Sequence, residues 1–540
     1  MFALVPRLGL DCIAAREGPG ASSPLAVRAW WAVSSTALRD LERATEFSVN
    51  ALIIENETDG PWYDSVNGLC LYDFSDRFQR RSRPERERVE ARRSVYRSIT
   101  EATRKRGIAC YLMAPEIVPP EGYGGLTFED AELWELIPAR LREVFRALPD
   151  LDGFMLYLCE GRAEIFTIPG GEKSLTARAH RLISTVWETC RAERRKLLVT
   201  TFIHRLERLE AIAEALRSLP PHPDLAVLQY CCPNDWGLYE LVNPSLGRVG
   251  PHPEILGFDY AAENWGQGVH PFVHVEFMAD RLREARRRSD RIAGLAGYVS
   301  WYGRSVLGTF DEANVYAGKA LAETLDRDGS EILQAWCMNR FGEGAADVAA
   351  ACLARTHPAI FKAQHLFGYW LDTSNKSGLP SLRELDEYFI GDYYGEALAK
   401  WDPQHAATWE KIQKPDEEFL REILGEKEEA VSLCNRSLRE IERSRERFRL
   451  EDFGALERAF RFQEVWARLW RELVHAFFLR QIARREGWTS DRRGRLERVL
   501  DLMSREADEL ESAFGRDVFP YGPERAREFV TALRREVGST

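Results

Sequence analysis

Between residues 25 and 303 the apolar positions follow two alternating patterns. Short runs rich in β-branched and aromatic residues recur, and most are separated by longer stretches whose apolar positions fall three and four apart. The short runs are LAVRAWWA (25–32), VNALIIEN (49–56), GIACYLMAPE (107–116), LDGFMLYL (151–158), KLLVTTFIH (196–204), DLAVLQYCC (224–232), PEILGFDYAAE (253–263) and IAGLAGYVSWYG (292–303). Helical spacing marks TALRDLERATEF (36–47), SLTARAHRLISTVWETCRAE (174–193), LERLEAIAEALRSL (206–219) and PFVHVEFMADRLREARRR (271–288). It also marks AELWELIPARLREVFRAL (131–148), where Pro138 is expected to interrupt the helix. The Arg- and Glu-dense segment 77–106 reads as a helix with a solvated face. Eight strand-like runs, mostly with helices between them, predict a (β/α)8 TIM barrel over 25–325.

Past residue 310 strand signals nearly vanish. DEANVYAGKALAETL, SEILQAWCMNRF and the long stretches from Asp416 and Phe453 all carry helical periodicity, which predicts an all-helical C-terminal region over 326–540. Residues 1–24, rich in Gly, Ala, Ser and Pro, read as a loosely packed lead-in. The wide amphipathic helices after residue 415 are expected to pack within the chain before they serve a homodimer.

Composition narrows the partners. A net charge of −11 over 540 residues argues against nucleic acid, whose phosphates need a basic face. The opening residues are too broken by Pro6, Arg7 and Asp11 for a signal peptide, and no stretch is apolar for long enough to span a membrane. Ten scattered cysteines without a CxxC read as buried thiols, which together with these features predicts a cytoplasmic protein. No His, Asp and Cys spacing suggests a metal site, and no Gly-rich phosphate loop suggests a cofactor.

In a parallel barrel the chemistry sits where strands end. The polar residues there are Glu55 and Glu57 after the second strand, Glu116 after the third, and Glu160 and Arg162 after the fourth. His204 and Arg205 follow the fifth, Asn234, Asp235 and Trp236 the sixth, Asp259 and Glu263 the seventh, and Trp301, Tyr302 and Arg304 the eighth. Trp30 and Trp31 point to opposite faces of the first strand, so one of them packs; Trp30 is the candidate for substrate contact. Carboxylates among Trp and Tyr suit sugars, because aromatic faces stack on pyranose C–H surfaces and carboxylates supply acid and base for glycosidic cleavage.

LDGFMLYLCEG, with its apolar strand ending in Glu160, resembles the strand-four segment of glycoside hydrolase family 67, the α-glucuronidases. LQYCCPNDWGLYE through AAENWGQG is similar to that family's strand-six to strand-seven region. GLAGYVSWYGRSVLGTFDEANVYAGKALAET and SEILQAWCMNRFG resemble its last strand and following helices. The resemblance implies Glu160 as general acid, with Asp235 and Glu263 activating water, and hydrolysis with inversion of an oligosaccharide or glycoside without a cofactor. Trp236, Trp265, Trp301 and Tyr302 would stack on the sugar.

Two departures bear on substrate. The family places lysines near the uronate carboxylate where this chain has Leu156 and Tyr230, so Arg162, Arg248 or Arg304 would have to supply the charge. The family's N-terminal β domain also has no counterpart here. A retaining glycosidase and a non-catalytic carbohydrate-binding or scaffold barrel are the alternative readings.

Overall fold

The computed structural model describes residues 25–55, 65–73, 82–115, 126–159, 164–203, 205–232, 242–301, 303–370, 378–386, 406–515 and 522–538; the lead-in 1–24 lies outside them. Each of the eight apolar runs contains a strand: β1 (Val27–Val33), β2 (Ala51–Glu55), β3 (Ala109–Pro115), β4 (Gly153–Tyr157), β5 (Lys196–Thr200), β6 (Leu225–Tyr230), β7 (Glu254–Phe258) and β8 (Ile292–Tyr298). All pair in parallel, in chain order, and β8 closes on β1 with Trp31 opposite Tyr298. The fold is a (β/α)8 barrel followed by a helical region.

Register fixes which side chains fill the barrel. Trp31 aligns with Ile53 of β2 and Tyr298 of β8, so Ala29, Trp31 and Val33 share one face with Ile53, Glu55, Ala296 and Tyr298. The same layers run on through Tyr111 and Gly153, Met113 and Met155, Leu198 and Ala226, Leu228 and Ile255, and Tyr230 and Gly257. Gly153 is small for a reason: a Cβ there would collide with the Tyr111 ring and the Lys196 carbonyl. The DGF opening of β4 therefore makes room for a tyrosine inside the barrel.

The surrounding helices are α1 (Ser34–Leu41), the short α2 (Ser65–Leu69), α3 (Arg83–Lys105), α4 (Ala131–Ala147), α5 (Leu175–Ala192), α6 (Leu206–Arg217), α7 (Val275–Arg288) and α8 (Glu312–Glu323). The charge-rich α3 turns Val89, Tyr96 and Ile99 inward and leaves most of its Arg and Glu in solvent. α4 corrects the expectation of an interruption, since it continues through Pro138. One backbone bond is forfeited there, and burial of Leu133, Leu136, Ile137 and Leu141 around the proline offsets the loss.

Where β8 meets α8, Tyr260 lies against Gly297 and Gly318, and a Cβ on either glycine would overlap its side chain. Gly297→Ala is expected to cost about 2 to 3 kcal/mol by overpacking. Gly425→Ala, on a helix where a Cβ meets nothing within 4 Å, is expected to gain about 0.5 to 1 kcal/mol. Urea unfolding of the two variants checks the contrast, and equal effects would contradict this packing.

After β8 come a hairpin, β9 (Ser300–Trp301) with β10 (Arg304–Ser305), then α9 (Gly329–Phe341), α10 (Glu343–Ala354) and α11 (Thr356–Gln364). A second hairpin, β11 (His365–Leu366) with β12 (Tyr369–Trp370), precedes α12 (Leu382–Glu384), α13 (Ala406–Gln413), α14 (Glu417–Arg443), α15 (Leu450–Glu486), α16 (Ser490–Phe514) and α17 (Pro523–Gly538). The barrel's apolar cluster continues through α9 and α10 and reaches Phe453 and Phe460 of α15. A second cluster joins α11 and α14–α17 to Trp265 and Phe272 of the β7–α7 loop. Arg480 on α15 is buried and forks to Asp386 (2.7 and 2.8 Å) and Glu536 (2.9 and 2.6 Å), which ties the last helix to the centre.

Candidate active site

Glu55 is the last residue of β2, and the register that puts Ile53 inside the barrel puts Glu55 inside as well. Its carboxylate is almost fully buried, a position that demands hydrogen-bond donors. Trp31 Nε1 and Tyr298 Oη supply them, each donating to Oε2 at 2.9 Å. The donors come from the two strands that close the barrel, so closure and orientation of this carboxylate are one event.

A chain of aromatic side chains crosses the mouth from there. Trp31 meets Tyr298 edge-on at 5.1 Å and Tyr230 at 6.1 Å; Tyr230 leans on Phe202 at 5.0 Å, and Phe202 stacks on Tyr157 at 5.1 Å. Tyr298 also meets Trp301 at 5.3 Å. Strands β1, β4, β6 and β8 and the residues just after β5 and β8 thus contribute to one aromatic surface beside Glu55.

The seventh strand contributes two more acids at the same end. Asp259 follows β7, and its Oδ2 accepts the Glu263 backbone N–H at 2.6 Å. The Ala262 carbonyl accepts from the N–H groups of Trp265, Gly266 and Gln267, and Gln267 Nε2 donates to the Glu263 carbonyl at 2.5 Å. The turn is held from outside by Asn314 on α8, whose Nδ2 donates to the carbonyls of Tyr260 (3.3 Å) and Phe272 (2.9 Å) while Oδ1 accepts from His274 N–H (3.0 Å). Both Asp259 and Glu263 are buried.

The hairpin after β8 is pinned to α1. Ser300 Oγ accepts from the Val33 N–H at 3.1 Å and from Thr36 Oγ1 at 2.7 Å. Asp40, one turn further along α1, is buried beside Thr36, Ser300 and Ser305, and its burial lifts its carboxyl above the ordinary range. These contacts set the position of Trp301 and of Arg304, which pair across the hairpin.

Of the sequence-predicted residues, Glu55, Glu263, Trp301 and Arg304 lie at the C-terminal end of the barrel. Glu116, Glu160, Arg162, His204, Asp235, Trp236 and Tyr302 lie outside the described residues. Three expectations are corrected. Trp30 faces outward, its ring 5.5 Å from Phe47 beside α1, and Trp31 is the one inside. Arg248 precedes β7 and so sits at the opposite, N-terminal end, exposed, with its carbonyl facing Arg217. Trp265 is wholly buried between Phe272 and His365, stacked on both, and has no face left for a sugar.

Leu156 alternates with the inward Met155 and Tyr157, so it points to the surrounding helices, whereas Tyr230 does face the mouth. Sequence reading passed over Trp31, Tyr157, Phe202 and Tyr298. Tyr157 and Tyr298 carry the signal of an aromatic at the last inward position of a strand and Phe202 that of one two residues beyond it, whereas Trp31 lies one inward position before the end of β1. Among the described residues no group of three or more His, Cys, Asp or Glu is placed to hold a metal, and no helix is long and apolar enough to cross a membrane.

No protein-family model matches the chain, and no curated protein matches its sequence. Solved structures do. The chain is similar to a GH138 enzyme targeting pectin rhamnogalacturonan II, with a TM-score of 0.59 and 13% identity over 96% of this chain and 67% of that one. It is similar at a TM-score of 0.47 and 10% identity to a GH115 4-O-methyl-α-glucuronidase with specificity for decorated arabinogalactans, over 95% of this chain and 61% of that one. An O-GlcNAc hydrolase from Thermobaculum terrenum matches at 0.43 and 10% identity, over 94% and 92%. These neighbours are glycoside hydrolases, and the likeness to the GH138 enzyme, at 13% identity, is one of fold.

Proposed function

We propose that this chain is a glycoside hydrolase, α-glucuronidase-like in its acid and base placement, acting on an oligosaccharide or glycoside. The observation that carries the reading is the buried Glu55 carboxylate, oriented by Trp31 and Tyr298 among stacked aromatic rings at the C-terminal mouth of a closed parallel barrel. An acceptor-only carboxylate beside aromatic faces binds hydroxyls and C–H surfaces together, which is the chemistry of a pyranose. The fold shared with the GH138 enzyme supports the same class.

In this reading Glu160 protonates the leaving oxygen, and Asp235 and Glu263 deprotonate and orient a water on the opposite face of the sugar. Inversion requires carboxyl groups about 6.5 to 9.5 Å apart, against about 5 to 5.5 Å for a retaining enzyme. Glu263 is suited to a fixed role because Asp259 and Gln267 hold its backbone on both sides. Arg162 and Arg304 remain the candidates for charge opposite a uronate. Screening nitrophenyl glycosides with neutral and uronic-acid-containing oligosaccharides tests the class, and NMR of the first-formed anomer tests inversion. Absence of turnover on all of them would favour a non-catalytic carbohydrate-binding barrel.

Glu55 gives a separate readout. Glu55→Gln keeps the shape but replaces one charged acceptor by an amide, and KM is expected to rise about tenfold with a smaller change in kcat. A fall confined to kcat would instead assign Glu55 to the chemical step.

A further inference from the structure

On the same end of the barrel, but outside its mouth, the β7–α7 and β8–α8 loops meet α15 and the end of α16 around a cavity of about 320 Å3. That volume holds one substituted six-membered ring. Phe310, Phe462 and Phe514 form its apolar walls, with Phe462 and Phe514 edge to face at 5.1 Å. Gly308, at φ +88°, lines it with bare backbone, and a Cβ there would meet nothing within 4 Å.

The charges around the cavity are unbalanced. Arg340, in the last turn of α9, and Arg458, on α15, both reach it, and neither forms an ion pair among the described residues. Their neighbours do: Arg449 pairs with Asp452 and Arg461 with Glu457. Arg458 is held at the rim by the Ala513 carbonyl (3.4 Å) and by the Phe514 ring, 5.1 Å from its guanidinium. Among the described residues the one acid in the wall, Asp311, is buried and spends its oxygens on the Phe272 and Gly268 N–H groups at 2.6 and 3.2 Å. The one histidine among the described lining residues, His270, is buried against Phe462, and burial keeps it neutral by lowering its pKa to about 3. In a protein of net charge −11, this is a locally cationic, aromatic-walled pocket.

We propose that the cavity binds a ring-bearing carboxylate, its ring between the three phenylalanines and its carboxylate against Arg340 and Arg458. The ligand is a sugar acid or a free alicyclic acid, since both present the same chemistry. Guanidinium forks suit carboxylates, and the aromatic walls accept either ring. The site shares no described side chain with the Glu55 cluster, and the proposal stands whether or not the mouth hydrolyses glycosides.

Calorimetric titration of the full chain with sodium glucuronate and with sodium cyclohexanecarboxylate tests it, with methyl glucoside and cyclohexanemethanol as neutral partners. At least one carboxylate is expected to bind with a millimolar or tighter Kd, about tenfold or more tighter than its neutral partner. The double variant Arg340→Gln, Arg458→Gln is expected to weaken it by about tenfold or more at unchanged melting temperature, whereas Glu55→Gln leaves it unaltered. Binding by glucuronate alone identifies a sugar acid, and binding by cyclohexanecarboxylate alone a free acid. No heat from either carboxylate, equal binding of the neutral partners, or undiminished binding in the double variant overturns the proposal.

Discussion

Glu160→Gln is expected to lower kcat on an alkyl or sugar leaving group by about 10²- to 10⁴-fold, the usual weight of a positioned general acid. The same substitution should have a much smaller effect on a dinitrophenyl glycoside, whose leaving group departs as a stable anion and needs little proton donation. That split separates a general acid from the alternatives. A nucleophile or a base is required whatever the leaving group, so its loss would depress both substrates alike. The pH profile gives a second reading: the alkaline limb of kcat/KM, which reports loss of the acid's proton, should vanish in Glu160→Gln. Equal losses on both leaving groups, or unchanged turnover, would remove Glu160 from the acid role.

The eight strands were legible because a barrel strand is buried on both faces and shows as a short apolar run wherever it occurs. The same property hid which face each residue takes. Trp30 and Trp31 are equally buried, and only the register with Ile53 and Tyr298 tells that Trp31 looks inward while Trp30 packs on Phe47. The end of a strand was easier to read than its face. Glu55 ends β2 and Trp301 follows β8, and both lie at the mouth, whereas Arg248 precedes β7 and lies at the far end.

Long-range packing was not legible at all. Trp265 follows β7 as a sugar-stacking residue would, yet Phe272 and His365 enclose it, and His365 is 100 residues away on a hairpin that no strand signal announced. Asn314 shows the converse. Its place in an Ala-Asn-x-Tyr helix was visible, but its role as a clamp on Tyr260, Phe272 and His274 emerges only when α8 packs behind β7. The helical region was readable as helix from its periodicity. α15 itself is buried on most of its circumference, so its central place among α11, α14 and α16 could not be read from an apolar stripe.

That central place carries the other large expected effect. Glu506 on α16 is nearly buried against α15, where Arg468 is committed to Glu464 (3.0 Å) and Glu509 (2.7 Å), and Arg471 to Glu472 (2.6 Å) and Glu428 (2.8 Å). Arg468 reaches Glu506 only at 3.9 Å. Burial, and then the Glu472 charge, push the Glu506 carboxyl up to about 8, against the partial relief that Arg468 and Arg471 offer. The folded state therefore keeps this proton while the unfolded chain releases it near the ordinary value of 4.5. Stability from this group is complete below that value and is lost progressively as pH rises through about 8. Glu506→Gln stays neutral throughout. Urea unfolding followed by far-UV circular dichroism should show the variant more stable than the parent by roughly 5 kcal/mol above about pH 8, with the curves converging toward pH 4.5. Parallel pH profiles for the two proteins would mean that Glu506 is ionised in the folded helices and that the two arginines offset its charge as well as those of the four carboxylates they already hold.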